Sequence, residues 1–100
     1  MIQRYLDAFE HRDADALQQV WPKMGDRYSR FKTSFATASS IRMKLDSEQI
    51  DIAAGGDTAV ATTVIAQDYT AKGQSTRSIR DRTVFKLSKS NGTWRIDDVQ

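Results

Sequence analysis

Few residues of this chain are of a type and spacing that could do chemistry. Asp81 is the most pointed of them: it sits between Arg80 and Arg82 in a stretch that alternates like a β-strand. If that alternation holds through Phe85 and Leu87, Asp81 faces inward. An inward carboxylate is either ion-paired or a pocket group with a raised pKa; a splayed strand end would leave it solvated. Asp68 is open to the same readings. His11 is the only histidine, so no second histidine can join it at a metal, and its place near a helix end predicts exposure. The carboxylates show no spacing of a metal site, and none is expected. Trp21, Tyr28, Phe31 and Tyr69 could line the mouth of an apolar pocket, or could be core aromatics at helical spacing. Serines and threonines are numerous but have no evident base beside them. Gly55-Gly56 reads as a hairpin turn rather than a phosphate loop.

Composition narrows the classes further. With 100 residues the chain is one domain. Its net charge is +2, and the basic residues form no cluster or tail, which argues against a nucleic-acid partner. There is no cysteine, which removes disulfides, thiol catalysis and thiolate zinc sites. No apolar run approaches the ~20 residues of a bilayer span. The opening Ile2-Gln3-Arg4-Tyr5 does not read as a signal peptide. A soluble domain is expected, cytoplasmic or periplasmic according to the chain that carries it. No cofactor is expected.

The elements that must position these residues follow from periodicity. Ile2, Tyr5, Leu6 and Phe9 predict a helix over residues 2–12. Asp13 predicts the cap of a second helix, ending at Trp21 where Pro22 stops it. Asp26 predicts the cap of a third, carrying Tyr28, Phe31 and Phe35 and fading over Thr37–Ser40. The period then changes to two. Ile41, Met43 and Leu45 alternate with charged residues, whereas Ile50 and Ile52 are in the opposite phase. The slip needs a bulge, expected at Glu48-Gln49. Further strands are expected over Thr58–Ala71 and Arg77–Lys89, with a last one through Trp94 and Ile96 after the Asn91-Gly92 hairpin turn. The central strand is apolar on both faces: Val60 and Val64 on one, Ala61 and Ile65 on the other. Helices can cover only one, so a homodimer or a neighbouring domain is expected over the other. Arg80, Arg82 and Lys86 fringe that outer face and offer a further reading, an acidic partner bound in a salt-sensitive way.

The run Gln3-Arg4-Tyr5-Leu6-Asp7-Ala8-Phe9, then Arg12-Asp13-Ala14-Asp15-Ala16-Leu17 and a helix ending in Trp21, resembles the NTF2-like superfamily, which includes the SnoaL-like and ketosteroid-isomerase-like proteins. Arg82-Thr83-Val84-Phe85-Lys86-Leu87 with Gly92-Thr93-Trp94-Arg95-Ile96 looks like the closing hairpin of the same fold. The resemblance spans the chain and implies an α+β, cystatin-like cone: three N-terminal helices packed on a curved four-stranded antiparallel sheet, with a pocket at the open end. It implies dimerisation through the outer sheet face. It also suggests an appendage excised from the C-terminus of a longer, bacterial protein. Tyr5 matches the isomerase tyrosine that donates to the substrate oxyanion. The isomerase's protonated acid corresponds to Thr83, with Asp81 roughly 6.6–6.8 Å back along the same face. Its base carboxylate falls in Pro22–Asp26, where no match stands. The expected function is therefore a non-catalytic module that binds a small apolar ligand or mediates dimerisation. The implied pocket is lined by Tyr5, Phe9, Trp21, Tyr28, Phe31, Tyr69, Asp81 and Thr83. The alternative is a small-molecule isomerase, cyclase or hydrolase using Tyr5 with Asp81.

Overall fold

Helix α1 spans Ile2–Glu10 and buries Ile2, Tyr5, Leu6, Ala8 and Phe9 along one stripe, as its spacing predicts. The computed structural model describes residues 2–100. The helix stops two residues short of the predicted end because Arg12 turns left-handed, with φ of 53°, and the Asp13 N–H closes back on the Ala8 carbonyl at 2.9 Å. That turn releases the Arg12 guanidinium to donate to the carbonyls of Ala38 and Ser39 at 2.9 and 3.0 Å.

Helix α2 covers Ala14–Val20. Asp13 caps it, its carboxylate accepting from the Ala16 N–H at 3.0 Å. A 3-10 turn, Pro22–Met24, follows with proline at its first position, where a missing N–H costs nothing. Helix α3 covers Arg27–Thr37. Asp26 precedes it but does not cap it as expected: its backbone is already helical and its side chain makes no cap hydrogen bond. The first N–H groups of α3 are instead met in part by the turn itself, where Tyr28 N–H donates to the Gly25 carbonyl at 3.1 Å.

Strand β1, Ala38–Ile52, begins directly at the end of α3, three residues before the predicted start. Ala38 is extended and almost wholly buried. Strands β2 (Thr58–Ala71), β3 (Thr76–Ser90) and β4 (Thr93–Val99) complete an antiparallel meander in the order β1-β2-β3-β4. The phase slip in β1 falls between Leu45 and Ser47, earlier than Glu48-Gln49. Asp46 is the extra residue, and its carboxylate takes the Arg80 guanidinium at 2.9 Å and the Lys44 ammonium at 3.7 Å. An ion pair reaching across two strands therefore accompanies the bulge. Together with the strand twist, the bulge curves the sheet into the expected cone.

The core lies between α1, α2 and the concave sheet face. Ala61, Thr63, Phe85 and Ile96 are fully buried there. Thr63 is the one buried polar residue among the described residues, and its hydroxyl is satisfied by the Thr83 carbonyl at 2.7 Å. The convex face carries Val60, Thr62, Val64 and Val84, all partly or well exposed. The single and opposite roles of the two aspartates give a direct check on this local geometry. Asp13→Ala is expected to cost about 1 kcal/mol in urea unfolding and Asp26→Ala less than about 0.5 kcal/mol; equal losses would contradict the cap assignment.

Candidate functional site

The concave face holds a cavity of about 100 Å³ lined by Tyr5, Phe9, Met43, Ile65, Gln67, Ile79, Asp81 and Thr83. Sheet register assembles its wall. Ile65 lies opposite Asp81, Thr63 opposite Thr83 and Gln67 opposite Ile79, so alternate side chains of β2 and β3 converge. Helix α1 supplies Tyr5 and Phe9 from one helical turn, on the stripe that faces the sheet.

Tyr5 is the pivot of the site. Its ring is held by Phe9, with centroids 4.8 Å apart, and by Phe85 edge-on at 4.9 Å and 82°. Only 6% of the residue is exposed, yet its hydroxyl has no hydrogen-bond partner among the described residues, and it borders the cavity. Burial pushes the phenol well above its ordinary pKa, with the Arg27 charge offsetting part of the effect. Tyr5 therefore offers a neutral O–H donor to whatever enters.

Asp81 points to the concave side and is exposed at the rim. No ion pair holds it among the described residues. Its neighbour Arg80 reaches Asp46 instead. Asp81 is thus solvated, the third of the readings open to it. Asp68 lies on the convex face and accepts from the Ser78 hydroxyl at 2.7 Å. His11 is exposed, with Nδ1 2.8 Å from the Asp7 carbonyl.

Of the eight expected pocket residues, the structure brings Tyr5, Phe9, Asp81 and Thr83 together. Trp21, Tyr28, Phe31 and Tyr69 do not line this cavity. Trp21 is 2% exposed, with the Arg27 guanidinium 5.2 Å from its ring centroid and its indole N–H unpartnered. Phe31 packs edge-on against Phe9 at 5.3 Å. The Tyr28 hydroxyl donates to Asp15 at 2.6 Å, a bond that raises its pKa. The Tyr69 hydroxyl donates to the Ser34 carbonyl at 3.2 Å and so ties β2 to α3. Sequence reasoning missed Met43, Gln67 and two isoleucines, Ile65 and Ile79. All four were already in phase with the inward face, so strand alternation carried the signal. No group of three or more His, Asp or Glu side chains among the described residues could hold a metal ion.

This combination of three helices, a curved antiparallel meander and a concave cavity defines an α+β cone fold. No protein-family model and no curated protein matches the sequence. Solved structures match closely in shape. An NTF2-like superfamily protein from Salmonella enterica serovar Typhimurium superposes with a TM-score of 0.80 at 24% identity, over 99% of this chain and 82% of that one. A protein from Novosphingobium aromaticivorans, provisionally named an aromatic ring hydroxylase, gives 0.86 at 17% identity over 98% and 80%. A protein from Xanthomonas campestris, provisionally named a calcium/calmodulin dependent protein kinase II association domain, gives 0.81 at 13% identity over 99% and 79%. The fold is that of the NTF2-like superfamily, as the sequence resemblance implies.

The state of Tyr5 can be read by alkaline titration. Its folded pKa lies above the ordinary 10.0, so the unfolded phenol ionises first. Stability is intact below about pH 10 and falls as pH rises beyond it, by up to about 1.4 kcal/mol per pH unit for this group. Of the three tyrosines, Tyr5 is expected to form phenolate only as the fold is lost, and Tyr5→Phe to flatten that alkaline loss. A Tyr5 phenolate appearing near pH 10 in the folded protein would contradict its burial.

Proposed function

We propose that this domain is a non-catalytic NTF2-like module that binds a small apolar ligand in the concave cavity and pairs through its convex sheet face. One observation carries the reading: the cavity presents a buried phenol donor without a buried acid or base beside it. Proton transfer to or from carbon needs a positioned base within hydrogen-bond reach of the reacting atom. The only carboxylate at the cavity is Asp81, solvated at the rim. Asp26, in the segment where the isomerase base would fall, is exposed and lines no part of the cavity. The apolar wall from Phe9, Met43, Ile65 and Ile79 suits a single small ring carrying one acceptor for Tyr5.

The convex face supports pairing by its composition. Val60 is 40% exposed, and Thr62, Val64 and Val84 continue the surface. The X. campestris neighbour is named as an association domain, and pairing as part of a longer chain is the reading extended to this protein. No helix among the described residues is long and apolar enough to cross a membrane.

A second reading is favoured by one fact: Tyr5 and Asp81 border the same cavity. In it, the phenol stabilises an oxyanion while Asp81 moves the proton. The N. aromaticivorans neighbour is named for an enzymatic activity, and one fold can carry both enzymes and binding modules, which supports keeping that reading.

Two measurements test the proposal. Sedimentation equilibrium at tens of micromolar is expected to give a dimer that Val64→Lys converts to monomer; a monomeric wild type would overturn the pairing. NMR titration with small neutral rings such as cyclohexanone is expected to shift the Tyr5, Phe9 and Thr83 amides together, with Tyr5→Phe weakening binding about fivefold or more. Turnover of such a ketone's α-protons in D₂O, abolished by Asp81→Asn, would favour the enzymatic reading instead.

A further inference from the structure

Strand β3 has a neighbour on both sides along only part of its length. β2 pairs with it from Thr76 to Ser88 without a register shift. β4 pairs only with Phe85–Ser90, and the last backbone exchange at that edge joins Gln100 to Val84 at 2.9 Å in both directions. No strand among the described residues continues the ladder, and Thr76–Arg82 are all exposed.

Which backbone groups lie open follows from the alternation of an antiparallel ladder. Val84 turns its N–H and carbonyl to the β4 side. Arg82, Arg80, Ser78 and Thr76 therefore turn theirs to the same side, where nothing pairs with them. The side chains divide in the same rhythm. Arg77, Ile79 and Asp81 lie on the concave face, in the rows of Tyr69, Gln67 and Ile65. Ser78, Arg80 and Arg82 lie on the convex face, in the rows of Asp68, Ala66 and Val64. An open edge of this kind is a template for a further strand unless a bulge, a proline or charge defends it. This stretch has no bulge and no proline, so its charges decide what can pair with it.

The charges select a second copy of the same stretch. Two copies related by a two-fold axis pair antiparallel, and an axis on a residue sets open backbone groups against open groups. An axis between residues would set open groups against bonded ones. With the axis at Ile79, Asp81 faces the partner's Arg77, Arg80 faces the partner's Ser78 and Arg82 faces the partner's Thr76. Every charge then meets an opposite charge or a neutral hydroxyl. Moving the axis to Arg80 sets the two Arg80 side chains against each other. Moving it to Asp81 opposes two carboxylates and two pairs of arginines. Moving it to Ser78 sets Arg77 on the partner's Ile79 and leaves Asp81 without a cation. Ile79 is 49% exposed. In the favoured register it is covered by the partner's Ile79, with Cβ atoms roughly 4.5–5.5 Å apart.

We propose that the open edge of β3 is a self-recognition surface, through which two copies join Thr76–Arg82 edge to edge about Ile79 into one continuous sheet. The junction reaches the concave cavity. Ile79 and Asp81 line it, so pairing carries the partner's Arg77 to the cavity rim, against Asp81. This surface is separate from the convex face. A short ladder with one apolar pair is a small interface and associates weakly, so it forms at hundreds of micromolar rather than tens.

Sedimentation equilibrium of Val64→Lys at hundreds of micromolar gives the test. That substitution blocks the convex face, so the result does not depend on whether the convex faces pair. A monomer–dimer equilibrium is expected. Adding Asp81→Arg sets arginine against the partner's Arg77 and is expected to weaken the dimer on the order of tenfold or more. Adding Arg77→Asp as well exchanges the two charges and is expected to restore it. Both residues are exposed, so the variants keep their fold, which circular dichroism verifies. Amide hydrogen exchange locates the contact: the Ser78, Arg80 and Arg82 amides are expected to slow as concentration rises, while that of Ile79, bonded to β2, does not change. A Val64→Lys variant that stays monomeric at hundreds of micromolar overturns the proposal. So does a dimer indifferent to Asp81→Arg, a charge exchange that fails to restore it, or amide protection that rises elsewhere and not at these three residues.

Discussion

The edge-on contact between Tyr5 and Phe85 is the joint on which the fold and the site both depend. Phe85 is fully buried at the centre of β3, and its neighbours across the sheet are Ala61 on β2 and Val99 on β4. Ala61 is small, and this leaves room for α1 to lie close to the sheet. The Tyr5 ring fills that room, with Phe9 behind it and Phe35 and Phe31 beyond, each ring pair within 6 Å. A chain of tilted and edge-on rings thus runs from the sheet through α1 to α3. The Tyr5 ring is clamped between two others, the residue borders the cavity, and its hydroxyl meets no acceptor among the described residues. The packing that stabilises the domain also creates its one buried, unspent phenol donor.

The parts of this arrangement that were legible in the sequence are those set by local periodicity. Ile2, Tyr5, Leu6 and Phe9 lie on one helical stripe, and Ala61, Thr63 and Ile65 on one strand face, whatever surrounds them. That was enough to seat Tyr5, Phe9, Asp81 and Thr83 on inward surfaces. Where distant groups decided the outcome, the sequence was silent. The bulge in β1 sits at Asp46, whose carboxylate meets Arg80 from two strands away in the sheet. A local phase count could narrow the slip to the stretch after Leu45 but could not choose the residue. Asp26 has the composition of a helix cap, but the turn at Gly25, with φ of 59°, brings its backbone into the helix too early for the side chain to fold back. Helical aromatics show a similar limit. Tyr28 and Phe31 have the spacing of a pocket lining, but the way α3 packs on its neighbours decides what they touch, and that packing has no local signature.

The edges of the sheet show how the same chain restricts its own associations. β1 is an edge strand, and an open edge invites pairing with other strands. Its first half is closed by α1: the Glu10 carboxylate accepts from the Met43 N–H at 3.2 Å, and Arg12 covers the Ala38 and Ser39 carbonyls. The left-handed turn at Arg12, which ends α1 early, is what brings that side chain to the strand. At the opposite edge, the 3-10 turn Pro22–Met24 packs along β4, and proline there offers no N–H to a foreign strand.

With these stretches of edge occupied, self-association is left to the open start of β3 and to the convex face. That face is mixed in character. Valine and threonine run along β2, and Arg42, Lys44, Arg80 and Arg82 are set around them, with Asp46 ion-paired to two of the four and offsetting one of their charges. Two such faces brought together must separate the remaining positive charges while burying the valines, so they can meet only with their basic regions offset. The Asp46 bulge therefore has two effects. It bends the sheet that shapes the cavity on one side, and it lowers the charge that would oppose pairing on the other.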